Sequence, residues 1–216
     1  MGKIKSVREQ VYEHIVHMIA MRQLNYGDKI NISELQEKLG VSRPPINEAL
    51  IELYANGILN NIPRKGFYVK DLTEKQKADI TETIAVLDSY AIRRIIEYGD
   101  MDEETLKKMK VLVQQMEFSI AHRDHEDYYV QQEKFHQLYL DCSSNLCVSK
   151  TIQDLQKSAI RTTAFFEDPE ELFAFFAEAN KEHAEIVKCI EEKDAIGAEK
   201  VVKKHWTRNL NNLIMK

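Results

Sequence analysis

Three histidines stand at spacings that would let them share one ion. His183, in "KEHAEIVKCIEEKD", and His205, in "KKHWTRN", lie 11 residues on either side of Asp194. If the chain turns there and two helices run back antiparallel, equal distances bring the two imidazoles to the same height. On the first of these helices Leu172, Phe176, Ala179, His183, Ile186 and Ile190 form an inward stripe. On the second, Ala198, Val201, His205 and Asn209 share a face. His136, in "QQEKFHQLYL", shares a face with Tyr128, Gln132 and Tyr139. Neutral imidazoles converging inside a bundle suit zinc, nickel or a similar divalent ion. A single inward histidine is more often a hydrogen-bonded core residue, and that plainer reading stands beside the metal reading.

A second set of residues suits nucleic acid. In "GVSRPPINEAL" two prolines, Pro44 and Pro45, follow Arg43 at what reads as a helix start. The first helical positions have no intrahelical partner for their N–H groups, so prolines cost little there and fix where the helix begins. The residue before a proline is pushed from helical geometry, so Arg43 is expected as the last non-helical residue. A recognition helix reads base edges with its N-terminal residues. Arg43 can donate two hydrogen bonds to guanine, and Asn47, one turn on, can meet adenine or a phosphate. Pro63-Arg64-Lys65-Gly66 forms a basic tip between two short apolar runs.

These residues need elements to hold them. Val7, Val11, Ile15, Met18 and Ile19 predict a first helix over residues 7–21, stopped near Gly27. Ser33 is expected to cap a short helix closed by Gly40. A third helix follows over about 44–57, with Ile46, Leu50, Leu53 and Tyr54 inward, and then a β-hairpin with the basic tip. The result is a winged helix-turn-helix over residues 1–71. Residues 72–216 read as an antiparallel all-helical bundle of about six helices, near 74–98, 102–122, 125–142, 145–166, 170–192 and 195–214, so the fold class is mainly α.

Composition is consistent with this. Of 216 residues, 44% are hydrophobic and 30% charged, while Gly (7) and Pro (4) are scarce. The formal net charge of −5 divides unevenly: residues 1–71 carry +2 and residues 72–216 carry −7, which directs only the first module toward a polyanion. No apolar run is long enough to span a bilayer, and the N-terminus lacks a secretory core, so a cytoplasmic protein is expected. Cys142, Cys147 and Cys189 fit no metal or redox spacing and read as reduced packing thiols. His14, His17, His122 and His125 read as surface or junction residues, and "FFEDPEELFAFF" as core or dimer contact. No glycine-rich phosphate loop, nucleophile elbow or paired-carboxylate pattern gives an enzyme reading a motif.

"GVSRPPINEAL" and "PRKGFYV" resemble the "GVSRTPVREAL" and "RRGxFV" strings of the GntR family of bacterial transcription regulators, over about residues 4–71. The resemblance implies DNA contacts by Ser33, Ser42, Arg43, Pro44, Asn47, Arg64, Lys65 and Gly66. Two positions depart from the family: Pro44 replaces a common Thr, removing a hydroxyl and an N–H, and Asn47 replaces an Arg. The C-terminal half resembles the FCD ligand-binding domain, whose pattern "DxxFHxxL…SGN", "EHxxIxxAIxxGD" and a last-helix histidine is matched by "QEKFHQLYLDCSSN", "KEHAEIVKCIEEKD" and "KKHWTRN". The resemblance makes His136, His183 and His205 the metal ligands, with Gln132 where the family carries a fourth, Asp ligand. It also implies a homodimer on double-stranded operator DNA and a small effector, such as a carboxylate, met by Arg161, Asn209 and Asp88. Ile84 stands where the family tends to carry an effector-binding Arg. Six helices point to the VanR-like branch over the seven-helix FadR-like one. The resulting expectation is an effector-controlled repressor; a metal-dependent enzyme and a direct metal sensor are the alternatives.

Overall fold

The computed structural model describes residues 5–20, 23–159 and 168–214, with side chains at all of these except 20, 157–159 and 209–214. It divides into two compact units, the first ending at Thr73 and the second opening at Glu74.

In the first unit, α1 (Val7–Ala20), α2 (Ile32–Leu39) and α3 (Arg43–Ala55) precede a hairpin of β1 (Leu59–Ile62) and β2 (Gly66–Val69). The strands pair antiparallel from Leu59↔Val69 to Ile62↔Gly66. Lys29 adds a bridge to Tyr68, tying the segment before α2 to the outer side of the wing. Val11 and Ile15 of α1, Leu35 of α2, Ile46 and Leu50 of α3 and Val69 of β2 close one core. The α2–α3 turn depends on Gly40, whose φ of 64° is a left-handed conformation that only glycine adopts cheaply.

Four local expectations are corrected. The cap of α2 is Asn31, whose side chain accepts from the Ser33 and Glu34 N–H groups; Ser33 is the second helical residue and exposed. Helix α3 starts at Arg43, with Ser42 as its N-cap, so the prolines fill the second and third helical positions. Both lie in the turn whose N–H groups lack intrahelical partners, so neither proline removes a helical hydrogen bond. Val7 and Tyr54 are exposed instead of inward, and Ala49 takes the inner place on α3.

The second unit contains α4 (Glu74–Tyr98), α5 (Glu103–Ala121), α6 (His125–Asp141), α7 (Leu146–Ala159), α8 (Pro169–Glu191) and α9 (Ala195–Ile214). Asp102, Asp124 and Asp168 cap α5, α6 and α8 by accepting backbone N–H groups, so the breaks between helices are built into the sequence. Asp88 meets Trp206 while Arg93 meets Glu199, which runs α4 and α9 antiparallel. Asn180 of α8 donates to the Val113 carbonyl of α5. Tyr128 and Phe176 stack with centroids 4.0 Å apart, which places Phe176 of the aromatic run in the core, while Phe173 and Phe175 are half-buried. The three cysteines are free.

Candidate functional site

His136 comes from α6, His183 from α8 and His205 from α9, and all three are buried. One ligand atom from each lies within 4.8 Å of the others. The α8–α9 hairpin brings the His183 and His205 rings to 4.6 Å between centroids, as their equal distances from Asp194 require. His136 stands 5.3 Å from each.

Hydrogen bonds fix which nitrogens are free. Asp88 Oδ2 accepts from the Trp206 indole N–H at 2.7 Å and from the Tyr139 hydroxyl at 2.6 Å. With its proton directed to Asp88, the Tyr139 oxygen is left to accept from His136 Nδ1–H, at 2.8 Å. His136 Nε2 therefore presents its lone pair. His205 Nδ1 lies 3.2 Å from Glu182 Oε2, and donation to that carboxylate frees Nε2 on the same logic. The other Glu182 oxygen is held by Arg208 and, at 3.4 Å, by Lys204.

The set fits a divalent ion. Two nitrogens each about 2.0–2.1 Å from a tetrahedral zinc lie about 3.3–3.4 Å apart, and His136 Nε2 and His183 Nε2 are 3.3 Å apart. Burial, then the neighbouring His205, hold the His136 imidazolium well below its ordinary pKa. The same causes, with His136 added, act on His183. Both rings are thus neutral near pH 7, the form that binds metal. Burial raises the Asp88 carboxyl to about 6, against the lowering effect of the Tyr139 and Trp206 hydrogen bonds. Burial also pushes Glu182 up, but bonds from His205 and Arg208 outweigh it and leave the carboxyl below its usual range.

Of the remaining expected site residues, Gln132 is half-buried and Ile84 is fully buried in the core. Arg161 and the side chain of Asn209 lie outside the described residues. Spacing did not reveal Glu182, Trp206 or the role of the Tyr139 hydroxyl. A carboxylate immediately before His183, with Arg208 one turn beyond His205, was the available sign of Glu182.

At the other unit, Ser42, Arg43 and Pro44 are exposed at the α3 start, and Asn47 is half-buried. Arg64 and Lys65 are exposed at the wing tip, where Gly66 takes a φ of 103°.

Residues 7–69 match the family model described as bacterial regulatory proteins, gntR family, and residues 79–208 match the FCD domain. The chain belongs to the GntR family. It is 33% identical over 138 residues to the HTH-type transcriptional regulator YdhC of Bacillus subtilis, covering 63% of this chain and 60% of that one. It is 30% identical to YcbG of the same organism, over 70% of this chain and 68% of the relative. With the HTH-type transcriptional repressor RspR of Escherichia coli it shares 21% identity over 92% of this chain and 85% of that one. Among solved structures, E. coli McbR/YncC superposes with a TM-score of 0.84 at 20% identity, covering 98% of this chain and 99% of that one. A GntR regulator from Rhodococcus sp. RHA1 gives 0.78 at 14% identity, covering 98% and 99%. The families and relatives are transcription regulators, so the enzyme alternative falls. Among the described residues no helix is long and apolar enough to cross a membrane.

Proposed function

We propose that this GntR-family chain is a cytoplasmic, homodimeric repressor, with residues 1–71 on operator DNA and residues 72–216 binding effector and partner. The observation that carries the reading is the exposed Arg43 at a proline-fixed helix start, in one unit with the exposed Arg64 and Lys65 of the wing. Ser42 and Pro44 stand beside Arg43, Gly66 shapes the wing, and Ser33 and Asn47 complete the contact set. In the helical unit His136, His183 and His205 hold zinc or nickel, which when bound supplies open positions for an oxygen-donor effector such as a carboxylate. Arg161 and Asn209 are the proposed further anchors. Asp88 acts through Tyr139, keeping His136 Nε2 free for the ion. Two buried polar atoms in this core, Asp88 Oδ1 and His183 Nδ1, have no protein partner. Such atoms are costly, by about 1–3 kcal/mol each, which favours a polar guest.

The test is a selection of duplexes from a random pool by the full-length chain, followed by binding with and without metal and candidate carboxylates. An enriched palindrome, released by a carboxylate only when metal is present, is the expected result. Release by the ion alone would make the metal itself the effector. No enriched sequence would overturn the reading.

A further inference from the structure

The outward face of α3 carries more than Arg43 and Asn47. Successive helical residues turn by about 100° and rise about 1.5 Å, so Arg43, Asn47, Ile51 and Tyr54 fall within an arc of roughly 80°. Ile51 is 59% exposed and Tyr54 is 50% exposed on this stripe. They do not spill over from a crowded core, because Ile46, Ala49, Leu50 and Leu53 of the same helix are all fully buried. Glu52, beside Ile51, turns back to pair with Arg8, and Glu48 stands exposed on the flank. An aliphatic side chain thus projects from the face that bears the two base-reading polar groups.

We infer that Ile51 is a specificity-determining residue that packs against the C5-methyl group of a thymine in the major groove. This rests on the reading of the first unit as an operator-binding module. Of the four base pairs' edges, thymine alone offers an apolar group there, and it is recognised by aliphatic contact. From Arg43 to Ile51 the helix advances about 12 Å. At about 3.4 Å per nucleotide along one strand, Ile51 addresses a base pair three to four steps from the guanine met by Arg43. Pro44 in place of Thr and Asn47 in place of Arg leave this helix fewer hydrogen-bond donors, which shifts its discrimination toward apolar contact.

The test uses the duplex selected by the full-length protein, with each thymine replaced in turn by deoxyuridine, which removes only the methyl group. One replacement per half-site, within three to four base pairs of the guanine whose contribution disappears in Arg43→Ala, should weaken wild-type binding about fourfold, as for one buried methyl. Ile51→Ala should bind the unmodified duplex about that much more weakly and show no further loss with deoxyuridine; Ile51→Val should fall between. Because Ile51 is exposed, these variants leave the core intact, and equal melting temperatures confirm it. If the protein selects a sequence but every deoxyuridine is neutral, or the sensitive thymine stays sensitive in Ile51→Ala, the inference is overturned while operator binding stands. If no sequence is selected, both are overturned.

Discussion

Gln132 lies one helical turn before His136, at the position where the resemblance to FCD domains expects a carboxylate ligand. A neutral amide oxygen binds a divalent ion less strongly and leaves the site one negative charge short, so Gln132→Asp should raise zinc affinity. Competition against a chromophoric chelator measures this, and unchanged affinity would remove residue 132 from the site. Tyr139→Phe cuts the link from Asp88 to His136 without altering ring packing. Loss of such a partner commonly costs about 10–100-fold in metal affinity; full retention would show that the link does not orient the imidazole. The same groups set a pH dependence in metal-free protein. His136 and His183 are depressed below 6.5 in the fold, so their contribution to stability is complete above that pH and is lost on acidification. Asp88 is raised to about 6, so its contribution is complete below its unfolded value and is lost as pH rises through 6. Below pH 6.5 the unfolded chain holds protons on two histidines that the folded chain leaves neutral, while the folded chain comes to hold one on Asp88. The two histidines outweigh the one carboxyl, so stability falls on acidification below that pH. Asp88→Asn removes the opposing group and should steepen that fall. Urea unfolding of the full chain with chelator present reads both slopes, and flat stability would contradict the assignment.

At the scale of elements, small polar residues and glycines decide where helices begin and end. Asn31 satisfies two N–H groups of α2, and Asn31→Ala should cost about 1 kcal/mol of first-unit stability, seen as a lowered urea midpoint. Ser33→Ala should leave it unchanged, and the reverse ranking would restore Ser33 as the cap. The difference was hard to read from sequence because Asn31 and Ser33 are both good caps two residues apart. What separates them is the pairing of Lys29 with Tyr68, a contact across the fold that holds the preceding backbone extended. Helix existence was legible among the described residues, since apolar periodicity and aspartate caps act within a few residues; the expected end of the helix near 166 lies outside them. The His183–His205 meeting was legible because one turn separates them. The partners of the histidines were less so: Glu182 and Trp206 gain their roles only when α8, α9 and α4 pack. Tyr54 was misread for the opposite reason, since an aromatic at helical spacing signals burial whichever way the stripe's edge turns.

At the scale of the whole molecule, one winged helix addresses one half-site, and successive major grooves recur about every 34–36 Å. A dimer therefore has to set the separation of its two recognition helices, and an effector that shifts that separation can release DNA. We propose the α5–α6 hairpin as the face on which a second copy would dock. A groove of about 640 Å³ runs between these helices, floored by Val111, Leu112 and Leu138, with Glu104, Lys107, Lys108 and Glu133 among its rim residues. Phe118 and Val130 extend its apolar strip in the open, and none of the three histidines lines it. At about 1.5 Å per residue the 19 residues of α5 span about 28 Å, and two adjacent helices make a face comparable to the roughly 800 Å² per partner of a standard interface. A two-fold axis across the groove would oppose the lysines of one copy to the glutamates of the other, which suits a self-complementary contact. Val111→Asp with Leu138→Asp places four carboxylates in that contact and should convert a dimer to monomer in sedimentation at micromolar concentration. Val111 is exposed and Leu138 half-buried, so the melting temperature of the double variant is read beside its sedimentation. Operator binding should then fall steeply while affinity for a single half-site is retained. If the double variant remains dimeric, the partner docks elsewhere on the helical unit; a wild-type chain that is itself monomeric would remove the dimer from the mechanism.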